Sequence, residues 1–142
     1  MKHEFQLFAD YHQVHLQDDD IAHGDLSEAW LDDQATERGL AVTEHAIAIG
    51  TARSMDVPVS VAFGTERPVL DSSEFDKINE TILQIDTGRL VVMGCTDDFD
   101  DAARIICAPG RYGVVVAHKD LDSLSADGLD GNDSYHVFLW PR

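Results

Sequence analysis

Apolar and polar side chains alternate with period two along most of the chain, which predicts strands with one buried face. From Phe5 to Leu16, the residues Phe5, Leu7, Ala9 and Tyr11 share one side and Gln6, Phe8, Asp10 and His12 the other, so one strand is expected, closed by Asp18-Asp19-Asp20. Leu40 to Ala52 reads as a second strand, and the small side chains in Ala46-Ile47-Ala48-Ile49 imply close approach of another element. Val57, Val59, Val61 and Phe63 alternate with Pro58, Ser60, Ala62 and Gly64, the clearest strand present. Pro58 places its start at a sheet edge or at an amide that needs no partner.

Glu74 to Ile85 fits a helix through Phe75, Ile78, Ile82 and Ile85, and a strand by alternation; its β-branched residues favour the strand. Leu90–Cys95, Arg104–Cys107, Tyr112–Lys119 and Tyr135–Trp140 read as further strands, separated by turn signals such as Asp86-Thr87-Gly88 and Pro109-Gly110. The helix candidate is Asp25–Arg38, with Asp25 as cap, Glu28 completing a capping box and Gly39 as the stop. The expectation is an all-β fold: an antiparallel β-sandwich of about seven to eight strands with one short helix across an end, forming a single domain over residues 1–142.

Composition sharpens this picture. The chain has 142 residues, 44% of them hydrophobic, with 27 acidic against 10 basic side chains and a formal charge of −17. That content supports a core, and the charge disfavours direct binding to nucleic acid or to anionic membrane surfaces, both of which need clustered Lys and Arg. Asp dominates the acids, consistent with many turns. No secretory leader and no apolar run near ~20 residues is read, so a soluble, cytoplasmic protein is expected. Cys95 and Cys107 match no zinc or redox spacing and read as small buried apolar residues.

Chemistry-bearing patterns are sparse. The sequence contains no Gly-x-Ser-x-Gly and no phosphate loop, and the Asp127–Asp133 stretch departs from the EF-hand pattern. His12 and His15, three apart on a predicted strand, point to opposite faces, so no metal pair is read there. His118 and His136 would meet, with His12, only if their strands pair; a small-ligand or metal-binding β-barrel lined by these three is the alternative reading. No cofactor and no catalytic residue is expected. The acidic runs Asp18, Asp19, Asp20 and Asp97, Asp98, Asp100, Asp101 are the candidate patch for a basic protein partner, with Tyr11 or Trp30 as aromatic anchors.

Several segments are similar to competence protein J (ComJ-type) proteins: Asp10-Tyr11-His12-Gln13-Val14, the spacing on to Trp30, Ala35, Gly39 and Ala46–Ile49, then Val57-Pro58-Val59. Pro109-Gly110-Arg111-Tyr112 and Tyr135-His136-Val137-Phe138-Leu139-Trp140-Pro141 resemble its closing strands. The resemblance implies a non-enzymatic inhibitor that restrains a DNA-entry nuclease, which fits a strongly acidic chain facing a basic cleft.

Overall fold

The computed structural model describes residues 2–142. Ten strands run in chain order: β1 (Lys2–Phe8), β2 (Gln13–Asp18), β3 (Leu40–Val42), β4 (Ala46–Gly50), β5 (Asp56–Phe63), β6 (Lys77–Ile85), β7 (Arg89–Gly94), β8 (Ala103–Ile106), β9 (Gly110–Lys119) and β10 (Ser134–Pro141), with one α-helix, α1 (Asp33–Arg38). They form two five-stranded sheets, ordered β1-β5-β10-β9-β6 and β3-β4-β2-β7-β8. Among the described residues every ladder is antiparallel except β5–β10, which is parallel.

The alternation that predicts the strands also builds the core. Val57, Val59, Val61, Leu83, Ile85, Val114, Val116, Tyr135, Val137 and Leu139 from the first sheet pack in one cluster with Val14, Leu16, Leu40, Ile47, Ile49, Leu90, Val92 and Ile105 from the second. Each sheet thus buries one face against the other, the sandwich expected from the sequence. Full burial of a side chain such as Ile47 or Ile49 contributes roughly 1.5–3 kcal/mol. The small residues of β3 and β4 serve the outer side: Ala41, Ala46 and Ala48 pack against Leu26, Ala29, Trp30 and Ala35. The helical segment therefore covers the outer face of β3–β4, and only alanines leave room for it that close to the sheet.

Two expected strands are each split, which raises the count from eight to ten. Phe5–Leu16 divides at Asp10–His12, so β1 lies in one sheet and β2 in the other. Leu40–Ala52 divides at a turn closed by Thr43 N–H donating to Ala46 O at 2.9 Å. The helix is shorter than expected. Asp25 caps only Ser27, Ala29–Leu31 forms a 3-10 turn, and the α-helical cap is Asp32, whose Oδ1 accepts from Gln34 N–H at 2.9 Å. Gly39 ends α1 in the left-handed region at φ 72°, as expected. Pro58 lies in an interior strand, but the ladder from β5 to β10 begins one residue later, at Val59. No helix among the described residues is long and apolar enough to cross a membrane.

Candidate functional site

The crossover between the sheets is made by two residues in unusual backbone conformations. Tyr11 and His12 have φ of 55° and 58°, a region that costs non-glycine residues roughly 1 kcal/mol or more. Surrounding hydrogen bonds hold them there. Tyr11 N–H donates to Asp10 Oδ1 at 3.0 Å, His12 N–H to Ala9 O at 3.0 Å, and Thr51 N–H to His12 O at 2.8 Å. The result is a Tyr11 side chain standing 71% exposed.

Trp30 faces the same region from the 3-10 turn. Its Nε1–H donates to Gln13 Oε1 at 3.0 Å, and His15 Nε2 lies 2.9 Å from that same oxygen. Burial lowers the His15 pKa to about 4, so the ring is neutral at pH 7 and its Nε2 carries the proton it gives to Gln13. The three side chains fix one another, and the indole is held without being fully buried.

Tyr11, His12 and Trp30 border a cleft of about 510 Å³ whose floor includes Gly39, Gly50 and His118. Close approach and a left-handed φ of 72° require glycine at position 39, whereas position 50 has ordinary van der Waals room. A Cβ on Gly39 would sit 2.9 Å from His118 Nε2, and one on Gly50 would sit 3.4 Å from Gly39 Cα and 3.6 Å from the Trp30 ring. His118, 1% exposed, meets Gly50 O through Nε2 at 3.1 Å. Burial lowers its pKa to about 4, outweighing the backbone carbonyls that favour the charged form. The neutral ring donates from Nε2, and its buried Nδ1 has no hydrogen-bond partner.

The two acidic runs divide into structural and exposed groups. Asp18 is wholly buried: Oδ1 accepts from Thr87 N–H and Oγ1–H at 3.1 and 2.7 Å, and Oδ2 lies 3.2 Å from His23 Nδ1. Burial pushes its pKa up, but the hydrogen bonds from Thr87 and His23 outweigh that and hold it below the ordinary carboxylate range. Asp19 is clamped by Arg104 and Arg89 at 3.1 and 2.7 Å, and their hydrogen bonds hold its pKa low. Asp18 and Asp19 are therefore not free surface charges. Asp20 is exposed and caps the next turn through Ala22 N–H.

Asp97, Asp98, Asp100 and Asp101 are all exposed on the β7–β8 connection. Two links tie that connection to the rest of the candidate patch. Arg104 donates to Asp19 at 3.1 Å and to Asp100 O at 3.4 Å, joining the two runs that lie about 80 positions apart in sequence. Thr96 Oγ1–H donates to Asp10 Oδ2 at 3.1 Å, joining the acidic connection to the Tyr11 turn.

Of the three histidines of the alternative reading, His12 and His118 line the same cleft, but His136 does not join them. Strands β9 and β10 do pair, but His118 sits opposite Tyr135, with ring centroids 5.5 Å apart at 84°. His118 and Tyr135 both face the core, so His136 points the other way, to Ser60 and Ser134 at 2.8 and 2.9 Å. The sheets form two layers rather than a closed barrel. The Asp127–Asp133 stretch turns its oxygens on its own chain: Asp127 accepts from Ser125 and Leu129, while buried Asp133 accepts from Arg53 and Tyr135. Cys95 and Cys107 are free, half-buried thiols, and burial raises both pKa values away from thiolate reactivity.

No protein-family model matches the sequence, and no curated protein matches it significantly. Solved structures do match. ComJ from Bacillus subtilis, described as an inhibitor of the DNA degrading activity of NucA, superposes with a TM-score of 0.71 over 100% of this chain and 96% of its own, at 14% identity. The fold is that of ComJ. The product of crocagin biosynthetic gene J superposes with a TM-score of 0.64, covering 100% of this chain and 97% of its own, at 17% identity.

Within this ComJ-like fold, Tyr11 and Trp30, the two aromatics that the sequence offers as anchors, border the same cleft. The sequence gives no sign of Gly50 in this cleft and singles out His118 for a different, histidine-lined site. Gly39 was visible as a helix stop, but its second role, admitting the His118 ring, depends on β9 lying beneath it and leaves no local trace.

Proposed function

We propose that this protein is a non-enzymatic, inhibitor-like binding protein whose partner is a basic, DNA-degrading nuclease, and that it acts in the cytoplasm. The observation that carries this reading is the full-length likeness to ComJ. The sequence adds the means: a formal charge of −17 matches an enzyme whose DNA-gripping surface must be cationic.

In this reading the Tyr11–Trp30 cleft supplies the anchor. Aromatic side chains held in place by neighbours contribute contact area at small entropic cost. The exposed carboxylates of Asp20, Asp97, Asp98, Asp100 and Asp101 occupy positions where the nuclease would otherwise hold phosphates, and they speed encounter. Asp18 and Asp19 contribute indirectly, by fixing the loops that carry those carboxylates. Catalysis finds little support: the buried ionisable groups Asp18, Asp133 and His118 are each engaged within the fold rather than converging on one another.

Complex formation is the test. The protein is mixed with a basic nuclease encoded nearby and run on gel filtration at low and high salt. Co-elution at low salt, weakened at high salt, supports the reading; separate elution at both removes it.

A further inference from the structure

Two other histidines, His23 and His45, form a different cluster at the far end of the second sheet. Three connections meet there: the turn after β2 with Asp20 and His23, the β3–β4 turn with His45, and the β6–β7 turn with Asp86. Backbone bonds lock them together, Asp18 N–H donating to His45 O at 3.0 Å and Gln84 N–H to Glu44 O at 2.9 Å. The His23 and His45 rings stack at 3.8 Å with 13° between planes. His45 Nε2 lies 3.0 Å from Asp86 Oδ2, and His23 Nε2 lies 4.0 Å from Asp20 Oδ2. One donor atom from each of His23, His45 and Asp86 falls within a mutual 4.8 Å.

We propose that His23, His45 and Asp86 form a binding site for a zinc-class divalent ion, with Asp20 or water completing the shell. Two imidazoles with carboxylates suit a borderline ion rather than magnesium or calcium, which prefer all-oxygen shells. The buried Asp18 gives the site its second layer. Its Oδ1 is saturated by Thr87, so Oδ2 fixes His23 through Nδ1 and leaves Nε2 facing outward. A carboxylate behind a ligating histidine sets its tautomer and orientation in just this way. Asp86 is supported likewise, with Gln84 Nε2–H donating to Oδ1 at 3.0 Å. This gives Asp18 a role that an acidic docking patch does not, and it stands whether or not a nuclease is bound.

Binding requires a small rearrangement. Donor atoms around a tetrahedral ion at ~2.0–2.1 Å lie roughly 3.3 Å apart, so the group must tighten. Stacked rings send their nitrogen lone pairs side by side rather than to one point, so one ring swings out of the stack. Neither imidazole is sealed in the core, with side chains 26% and 18% exposed.

The experiment titrates the full-length, chelator-treated protein with Co²⁺ and then displaces it with Zn²⁺, reading visible absorption and thermal unfolding. Expected are one ion per chain, intense d–d bands of a low-coordinate site, and a Tm raised by about 5–10 °C at ~100-fold excess over Kd. His45→Gln and Asp86→Asn each weaken binding by at least ~10-fold, whereas His3→Gln, on β1, leaves it unchanged. No stoichiometric ion, or an unchanged affinity in both His45→Gln and Asp86→Asn, overturns the proposal and marks any bound metal as an adventitious ion only.

Discussion

Thr96 donates its hydroxyl to Asp10 at 3.1 Å across 86 positions of sequence, and the other oxygen of that carboxylate holds the Tyr11 amide at 3.0 Å. One side chain therefore joins the acidic β7–β8 connection to the strained turn that presents the exposed aromatic. The strain sits at a position whose side chain does little for the core, so relieving it should not cost stability. Replacing Tyr11 by Gly removes the left-handed penalty together with the ring. The expected outcome is urea stability equal to that of the parent or up to ~1 kcal/mol higher, because relief of strain offsets the added freedom of glycine. Nuclease inhibition by the same variant falls at least ~10-fold, read from its inhibition constant.

Exposed and clamped aspartates separate in the same assay. Asp98→Asn, Asp100→Asn and Asp101→Asn together slow association with the nuclease by roughly 10-fold at low salt and leave dissociation nearly unchanged, as stopped-flow or surface-plasmon kinetics would show. Asp19→Asn instead releases Arg89 and Arg104 and lowers stability by about 1 kcal/mol, with a smaller effect on association.

Arg53, Asp133 and Tyr135 form a buried relay beside the cleft. Tyr135 Oη–H donates to Asp133 Oδ2 at 2.6 Å, Arg53 Nε–H to Oδ1 at 2.7 Å, and Ala52 N–H to the tyrosine oxygen at 2.7 Å. Burial, then the bond to Asp133, raises the Tyr135 pKa well above the usual phenol value. Tyr135→Phe leaves an amide and a carboxylate oxygen short of a partner and is expected to cost ~1–3 kcal/mol. Asp133→Ala strands the guanidinium as well and should cost ~3–5 kcal/mol, both read by urea denaturation.

Loss of stability in acid follows from two histidines whose pKa burial lowers, His15 and His118, and takes the same form for each; His118 is the example. Its native pKa of about 4 lies below the unfolded value of 6.5, so between these pH values the unfolded chain binds a proton that the native chain does not. Stability from this group is fully present above pH 6.5, falls as pH drops, and levels off below about 4, a loss of roughly 3 kcal/mol. The low pKa of Asp18 acts in the next window, where stability present above the unfolded carboxylate value of 3.8 is lost on further acidification. His118→Gln should reduce the dependence of the urea midpoint on pH between 4 and 6.5 by about one proton.

Much of the fold was legible because strand alternation survives in nearly every element. It misled at one place for a physical reason. Ala9 is fully buried, so the apolar rhythm of β1 continues into the crossover, and the break relies on left-handed φ at Tyr11 and His12 rather than on Gly, Asn or Pro. The alanines of β4 did announce a closely packed element, but not that it would be the helical segment, which the sequence placed across an end of the sandwich. At the site, a run of three aspartates gave no sign that Thr87, Arg89 and Arg104, about 70 to 85 positions away, would occupy two of them. The divergence of His118 and His136 was open to inference. His118 shares its face with Val114 and Val116, and antiparallel register with Tyr135 then sends its neighbour outward.

The decisive measurement is a titration of DNA degradation. A fixed amount of a basic, DNA-degrading nuclease from the same source is given increasing amounts of this protein at low salt, and the rate of DNA breakdown is followed. The account predicts a linear fall to baseline near equimolar protein, relieved by raised salt and by loss of the Tyr11 and Trp30 side chains. Undiminished degradation at a large molar excess would contradict it.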